Sequence, residues 1–489
     1  RFLSLGHNKS ALSLLRIFCK INSKNLFTNP RSQSMNTKAL SAKRHTIKDS
    51  FIIGIDPAKA ANQAYILSPD GETVGKSFKF KNNFKGFNTD LKYNLSKYLP
   101  DVPAHKIVFS IETSLNLWQK TAYFLHSQGY KVVTTSPLAT SRERPKMNSF
   151  SRTDPRDAYS VANVAKNGYY NDYKLFDENS NAMHSLTINY DKLREDLTAS
   201  IQRLRDEVEK FFPEISSQIS HYDSETILYL LSKYLTPGEF RNINVDEEEK
   251  TVKAISYQSY RLLLKIKSIA KESIGLPLSP LELEIHKMIV SSHIQQIKLL
   301  KQLLKQTEAK LVELAKKTPH FKILTSIKGL SENGASRLIA ELRDLSWFDN
   351  HRKIEAMAGL NLRLNDSGKQ SGNRVISRIG NKRLRRLLYT IGEQIIRHIP
   401  EARIRFIKRQ LKNGRYKKDI IAAISVLLKI IVSLIKGNRI YEFREQKIEE
   451  LQMWEEKYQE LEKVKKKKAN QKRSRLNQIS MEELIALAG

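Results

Sequence analysis

One cysteine, Cys19, stands in 489 residues, so no disulfide can close within the chain, and the eleven histidines form no Cys/His cluster with zinc-ligand spacing. Disulfide scaffolds and zinc fingers are thereby excluded. Long apolar runs are lacking as well: the most apolar stretch, Ile420 to Ile435, is interrupted by Lys429 and falls short of the roughly 20 residues that a membrane helix needs. Acid is scarce. Asp and Glu number 51 against 84 Lys and Arg, a formal net charge of +33, and the first 48 residues contain no acid at all. Such an excess calls for a polyanionic partner, nucleic acid before an acidic membrane surface. The expectation is a soluble intracellular protein of two or three domains, at about 150 residues per domain.

The basic segment 1–49 lacks the periodicity of a packed element and reads as accessory or non-native. Its stretch from Arg1 to Lys24 has the Arg/Ser-rich composition of a mitochondrial transit peptide. The plainer expectation is upstream sequence, with Met35 as the start of the functional protein. From Phe51 the pattern changes to short β-rich runs separated by turns. Phe51 to Ile55, Ala64 to Leu67 and Thr73 to Phe80 read as a three-stranded meander turning at Ser68-Pro-Asp-Gly71. A helix (Phe87 to Tyr98), a strand (Ile107 to Ile111), a helix (Leu117 to Gln128), a strand (Lys131 to Thr134) and a helix after Asp154 follow, which makes residues 50–170 an α/β domain.

Residues 185–318 are nearly devoid of strand signals, and their apolar residues fall three and four apart. Leu193, Leu197, Ile201, Leu204, Val208 and Phe211 form one stripe, and Ile297, Leu300, Leu304, Leu311 and Leu314 another. Two long helices packed as an antiparallel coiled coil would bury both, with Asp223 to Pro280 as a helical insertion at the tip. Residues 320–440 read as a second, mostly helical unit with a glycine-rich polar loop from Asn361 to Gly380. Between Arg363 and Lys418 stand seventeen Lys or Arg against three acids, interleaved with apolar helix positions such as Leu384, Leu388 and Ile395. Helices that are basic on one side and apolar on the other dock on phosphates. Residues 441–489 form a charged helical tail with eight basic residues between Lys463 and Arg475.

Four carboxylates carry the chemistry. Asp56 ends the apolar run Phe51-Ile-Ile-Gly-Ile-Asp56, and Glu112 ends Ile107-Val-Phe-Ser-Ile-Glu112. An acid at the end of a buried strand is half desolvated, which is costly unless a cation compensates it. Asp154 and Asp157, three apart at a helix start, share one face. Each acid alone also fits a plainer role: a strand-end turn for Asp56, a helix cap for Asp154, a solvated surface for Asp157. Together, the order strand-Asp, strand-Glu, helix Asp-x-x-Asp follows ribonuclease H-like logic, in which Mg²⁺ ions held by such acids clamp a phosphodiester.

These motifs, with Arg152-Thr-Asp-Pro-Arg-Asp-Ala158, Ala358-Gly-Leu-Asn-Leu-Arg-Leu-Asn-Asp-Ser-Gly368 and Arg378-Ile-Gly-Asn-Lys-Arg-Leu-Arg385 downstream, resemble the DEDD insertion-sequence transposases of the IS one-ten family. The resemblance runs from about residue 50 to residue 440 and implies a RuvC-like domain, a coiled coil and a helical transposase domain. It implies Asp56, Glu112, Asp154 and Asp157 as Mg²⁺ ligands and Ser367 as the nucleophile that forms a phosphoserine link to DNA. It further implies a noncoding guide RNA, target and donor DNA as partners, a tetramer, no membrane, and a bacterial or archaeal cytoplasm with nucleoid association.

Ser371, also followed by Gly, is a decoy for the nucleophile. Arg152, Arg363, Lys369, Arg374, Arg378, Lys382, Arg383, Arg385 and Arg386 are the expected nucleic-acid contacts. Ser326 to Gly334 resembles a helix-hairpin-helix turn but has Lys328 where Pro is usual and Ser331 where Gly is usual. Two other readings fit the same residues: a Mg²⁺-dependent structure-specific endonuclease of the Holliday-junction type, and a decayed transposase that binds nucleic acid without cutting it.

Overall fold

The computed structural model describes residues 30–114, 116–143, 153–255, 259–363, 375–443 and 445–476. It divides into two compact units, with the boundary between Leu175 and Phe176. The first unit is built on one mixed sheet. Strand β1 (Phe51–Asp56) lies at its centre, and its near-continuous apolar run is what burial on both faces requires. Antiparallel β2 (Ala61–Leu67) and β3 (Phe78–Lys81) extend the sheet on one side. Parallel β4 (Ile107–Glu112) and β5 (Lys131–Thr135), then antiparallel β6 (Asn171–Asp172), extend it on the other, giving the order β3-β2-β1-β4-β5-β6. The strand expected over Thr73 to Phe80 is shorter. Thr73 makes only a bridge to Leu67, and Gly75 takes φ +67° against the Tyr98 ring, so regular pairing begins at Phe78.

Among the described residues, five helices accompany the sheet: α1 (Pro30–Thr46), α2 (Lys92–Tyr98), which continues a π-helical turn over Gly86–Leu91, α3 (Leu117–Ser127), α4 (Pro137–Glu143) and α5 (Asp154–Lys166). The period of two along each strand sorts the side chains. Ile53, Ile55, Phe80, Phe109 and Ile111 face one core with Phe87, Leu91 and Leu125. Ile52, Leu67, Val108 and Val133 face the other core with Ala162 and Ala165 of α5. That second core also takes in Ile47. The end of α1 is fastened to it: Tyr170 Oη donates to the Lys43 carbonyl (2.8 Å) and Arg44 Nε to the Asn167 carbonyl (3.0 Å).

Gly54 sets how closely α5 approaches. A Cβ there would lie 2.2 Å from the Ala158 carbonyl oxygen and 2.5 Å from the Ala162 nitrogen, both backbone atoms. Gly54→Ala must therefore push α5 off the sheet. A cost of about 1–3 kcal/mol, the usual range for overpacking, is expected as a lowered thermal midpoint of the full chain.

The second unit begins with two long helices, α6 (Glu178–Glu209) and α11 (Pro280–Lys316). They pack antiparallel, as the ladder Asn179 to the Leu314 carbonyl (3.2 Å), Tyr190 to Glu308 (2.7 Å) and His286 to Glu207 (2.6 Å) shows. The anticipated stripes form their seam: Leu197, Leu204, Val208, Ile297, Leu304 and Leu311 are buried, and Leu193, Ile201, Leu300 and Leu314 partly so. Between them stand the short helices α7 to α10 (Glu225–Lys233, Pro237–Arg241, Val245–Lys253 and Ser259–Glu272). A capping box of Ser279 and Glu282, with Pro280 in the first turn, starts α11.

The remainder packs around one apolar core. It comprises α12 (His320–Thr325), α13 (Glu332–Leu342), α14 (His351–Ala358), the hairpin strands β7 (Leu362–Arg363) and β8 (Val375–Ile376), α15 (Lys382–His398), α16 (Pro400–Asn413), α17 (Tyr416–Gly437) and α18 (Glu445–Leu476). By length and composition α17 could cross a membrane. Here Ile420, Ala423, Ile424, Leu427, Leu428 and Ile431 are wholly buried in the core of this unit, which accounts for its apolarity.

Candidate active site

The strand register decides which acids share a face. Ile55 pairs with Ile111, so the next residues, Asp56 and Glu112, stand side by side at the carboxyl ends of β1 and β4. Both continue the face of Gly54 and Ser110. Ser110 Oγ donates to the Val161 carbonyl (3.1 Å), and Gly54 abuts Ala158, so this is the face that α5 covers. Helix α5 runs back along β1, with Ala158 beside Gly54 and Ala165 in the core of Ile52. Its first turn, carrying Asp154 and Asp157, therefore lies toward the end of the strand where Asp56 stands. The row continues outward: Asp56 pairs with Gln63 and Gln63 with Lys79, which aligns Lys79, Gln63, Asp56 and Glu112 on one face.

Each member of the row differs in environment. Glu112 is 7 % exposed, and Thr140 of α4 donates its hydroxyl to Glu112 Oε2 at 2.6 Å, a charge-assisted bond that offsets part of the burial. Asp56 and Asp157 are half-buried. Asp154 is exposed, and Lys79 Nζ lies 2.9 Å from its Oδ2; that hydrogen bond and charge hold the Asp154 carboxyl below the usual range. Among the described residues, no group of three or more His, Cys, Asp or Glu side chains is arranged to hold a metal ion. The face nonetheless suits a hard cation, because its carboxylates offer oxygen ligands. Gln63, 4 % exposed, adds Oε1, a buried acceptor with no hydrogen-bond partner among the described residues.

The Lys79 to Asp154 pair has a testable weight. Both side chains are about 60 % exposed (61 % and 62 %), so Lys79→Ala is expected to change stability by less than about 1 kcal/mol. The sign with pH is fixed. A carboxyl lowered by folding contributes stability above its unfolded pKa of 3.8 and loses it as pH falls through the lower folded value. Thermal midpoints of wild type and variant should therefore converge as the pH falls below that folded value.

Downstream, the two halves of the second motif meet at the base of the β7–β8 hairpin. Gly359 ends α14 at φ +66°, and a Cβ there would come within 2.9 Å of the Arg378 carbonyl carbon. Gly380, at φ +144°, lies against the Met357 carbonyl, where a Cβ would stand 2.4 Å away. Arg378 takes φ +56°, an uncommon conformation for a residue with a side chain, and its N–H donates to the Gly359 carbonyl (3.0 Å). Asn381 caps α15, accepting from the nitrogens of Arg383 (3.0 Å) and Leu384 (3.1 Å), and its amide donates to buried Glu341.

The expected nucleic-acid contacts divide accordingly. Arg383 Nε donates to Glu341 Oε1 (2.8 Å), and Arg385 Nη1 to the carbonyls of Ala358 (2.8 Å) and Arg378 (3.3 Å), so both guanidiniums brace the motif. Arg386 bonds exposed Glu195 (3.0 Å), and Arg378 and Lys382 are exposed. Arg152, Ser367, Lys369 and Arg374 lie outside the described residues, and Arg363 is described by its backbone in β7 alone. The turn before α13 is a helix-packing unit in which Ser331 Oγ accepts from Gly334 N (3.1 Å) and Lys328 Nζ stands 4.9 Å from the Phe443 ring centroid.

Residues 53–213 match the DEDD transposase family of the IS110 type, and residues 321–406 match the transposase family IS116/IS110/IS902. The first span holds the acid face; the second holds the hairpin and α15. The chain belongs to the IS110/IS116 family of insertion-sequence transposases. Its relatives include the insertion element IS116 uncharacterized 44.8 kDa protein of Streptomyces clavuligerus, 20 % identical over 409 residues, which cover 81 % of this chain and 97 % of the relative. The insertion element IS110 uncharacterized 43.6 kDa protein of Streptomyces coelicolor is 19 % identical over 401 residues, covering 80 % and 95 %. As an IS110-family enzyme the transposase has DNA as a partner, and its DEDD family is typically dependent on a divalent metal.

Three residues of this region escaped the sequence reading. Thr140, which holds Glu112, and Glu143, which accepts from Asn163 (2.8 Å), lie on a short helix with no pattern to mark them. Lys79 is one of many lysines, and only the register of β1, β2 and β3 brings it level with Asp56.

Proposed function

We propose that this transposase cuts and rejoins DNA through a phosphoserine intermediate on Ser367, with the acid face of Asp56, Glu112, Asp154 and Asp157 assisting. The observation that carries the reading is the shared face itself. Two strand-end acids stand side by side, and the first turn of α5 is laid toward them by the close contact at Gly54. The sheet order β3-β2-β1-β4-β5 with β2 antiparallel supports a ribonuclease H-like, RuvC-like domain, and the antiparallel pair α6 and α11 supports a coiled coil.

Asp56, Glu112 and Asp157 would hold Mg²⁺, with Asp154 joining once released from Lys79. When bound, the metal would supply charge compensation at the phosphodiester under attack. Ser367 Oγ attacks phosphorus and gives up its proton, the bond from phosphorus to the leaving deoxyribose oxygen breaks, and that oxygen is protonated. A free hydroxyl of the joining strand then attacks the phosphoserine and restores the serine. The energy of the cut bond is kept throughout, so rejoining needs no nucleotide.

In this proposal the enzyme works in a bacterial or archaeal cytoplasm as a tetramer, where the serine loop of one copy serves the acid face of another. A noncoding guide RNA selects target and donor. The test incubates the protein with Mg²⁺, the element's flanking noncoding RNA and matching target and donor DNA, then looks for protein attached to DNA on a denaturing gel. Cutting without an adduct would favour the endonuclease, and binding without cutting the decayed element.

A further inference from the structure

A large concavity in the second unit takes in Arg378 and otherwise lies outside the acids and arginines so far discussed. It has a volume of about 1390 Å³ and is bounded by the hairpin strands, α15, α16 and the start of α17. That volume exceeds the roughly 300–1,000 Å³ of small-molecule pockets, which argues for a polymer. Its cations are Arg378, Arg405, Arg409, Arg415, Lys417, Lys418 and, further along α17, Lys429. Among the described residues, Arg378, Arg405, Arg415, Lys417 and Lys418 form no ion pair, and all five are exposed.

Three of these cations stand where they oppose folding. Arg415, Lys417 and Lys418 lie at the N-terminus of α17, where the helix dipole disfavours positive charge by about 0.3–1 kcal/mol each. The acid that belongs there, Asp419, is wholly buried, with Arg409 Nε at 2.7 Å from Oδ1 and Gln410 Nε2 at 2.7 Å from Oδ2. Asp419 thus orients Arg409 rather than neutralising the cluster. Among the described residues no acid pairs with these three cations, and an anion seated among them would offset that cost.

The rest of the lining mixes polar groups (Glu355, Asn361, Ser377 and Ser425) with apolar and aromatic ones. Leu362, Ile376, Ile421, Val426 and Tyr389 share the concavity with the cations. A duplex presents its phosphates on a convex surface and hides its bases. A single strand offers phosphates to cations and unpaired bases to apolar and aromatic side chains, which is how sequence-tolerant single-strand sites are built.

We infer that this groove binds one unpaired DNA strand by its phosphodiester backbone, beside the hairpin whose strands flank Ser367 in sequence. The inference rests on the reading of the chain as a DNA strand-transferring enzyme and adds where an opened strand is held. Arg409 is held by Asp419, and Arg405, Lys417 and Lys418 supply the exposed charge.

The test is binding by the full chain, measured as fluorescence anisotropy of a labelled mixed-sequence single DNA strand of about 16 nucleotides, against a range of salt. The variant Arg405→Ala/Lys417→Ala/Lys418→Ala removes three exposed cations that form no ion pair among the described residues. The control Lys265→Ala/Lys298→Ala/Lys305→Ala removes three exposed cations from α10 and α11. The groove variant should bind single-stranded DNA about tenfold or more weaker, with a log-log salt slope shallower by about 2, at about 0.7 per phosphate contact. The control should bind like wild type.

Equal losses in both variants would reduce the groove to net charge and overturn the inference. So would an equal loss for duplex DNA, or a loss confined to RNA of the same sequence. The serine chemistry is read separately, by the adduct. Lost binding with no adduct from wild type would leave the groove standing and remove the recombinase reading; intact binding with a normal adduct would do the reverse.

Discussion

Replacing Ser367 by alanine should abolish covalent attachment of the protein to DNA while leaving DNA binding within about twofold of wild type. The methyl group removes the one atom that attacks phosphorus, and no neighbouring His or Cys in sequence can substitute for it. Loss of a nucleophile costs on the order of 10⁴-fold or more in rate, so the adduct should fall below detection. Ser371→Ala, three residues past the Ser367-Gly368 step, should retain the adduct, which separates a nucleophile from a loop that merely tolerates change. The informative alternative is strand cleavage that survives Ser367→Ala. Water would then be the nucleophile, the acids alone would suffice, and the chain would be an endonuclease using the same metal-binding face. Ser367→Cys sharpens the contrast, because a thiolate attack would leave a linkage with different chemical stability from that of a phosphoserine.

Much of the acid face was legible in the sequence because its logic is local. Apolar runs that end in Asp56 and Glu112 are visible without a fold, and the three-residue spacing of Asp154 and Asp157 fixes their common side once a helix starts there. What the sequence hid is long-range. Gly54 reads as one small residue in a strand, yet it is where the backbone of α5 lies against the sheet with no room for a side chain. Lys79 becomes a neighbour of Asp154 only through two antiparallel registers, and Thr140 reaches Glu112 from a separate helix.

The second unit shows the same division. Its long helices announced themselves through stripes of leucine and isoleucine three and four apart. The basic residues did not sort themselves. Arg383 and Arg385 stand in the densest basic run and read as phosphate contacts, yet both spend their guanidinium groups on protein acceptors. Arg405, Lys417 and Lys418, in a stretch with no motif, line the groove without a partner acid among the described residues. Charge counts identify a nucleic-acid protein, but only packing tells a bracing arginine from one left for a ligand.

Glu112→Gln should lower metal-dependent DNA cleavage by on the order of 10²- to 10⁴-fold, the loss of several kcal/mol that a misplaced or weakened metal brings. Its stability should change by no more than about 1 kcal/mol. The reasoning turns on shape: glutamine is isosteric, and its amide oxygen can still accept from Thr140, so the buried site keeps its packing and its hydrogen bond while losing its charge. A carboxylate kept only for structure would show the opposite pattern, with altered stability and unchanged cleavage. Binding of Mn²⁺ alone, followed by calorimetry on the full chain, supplies a readout independent of activity and should weaken in parallel. Asp154→Asn is expected to weaken Mn²⁺ binding less, because its exposed carboxylate already shares its charge with Lys79, whereas Glu112 has no cation at hand in the described structure. If Glu112→Gln and Asp154→Asn proved equal in both assays, the ranking of the acids by burial would be wrong. Asp154 would then have to leave Lys79 and bind the metal as fully as Glu112 does.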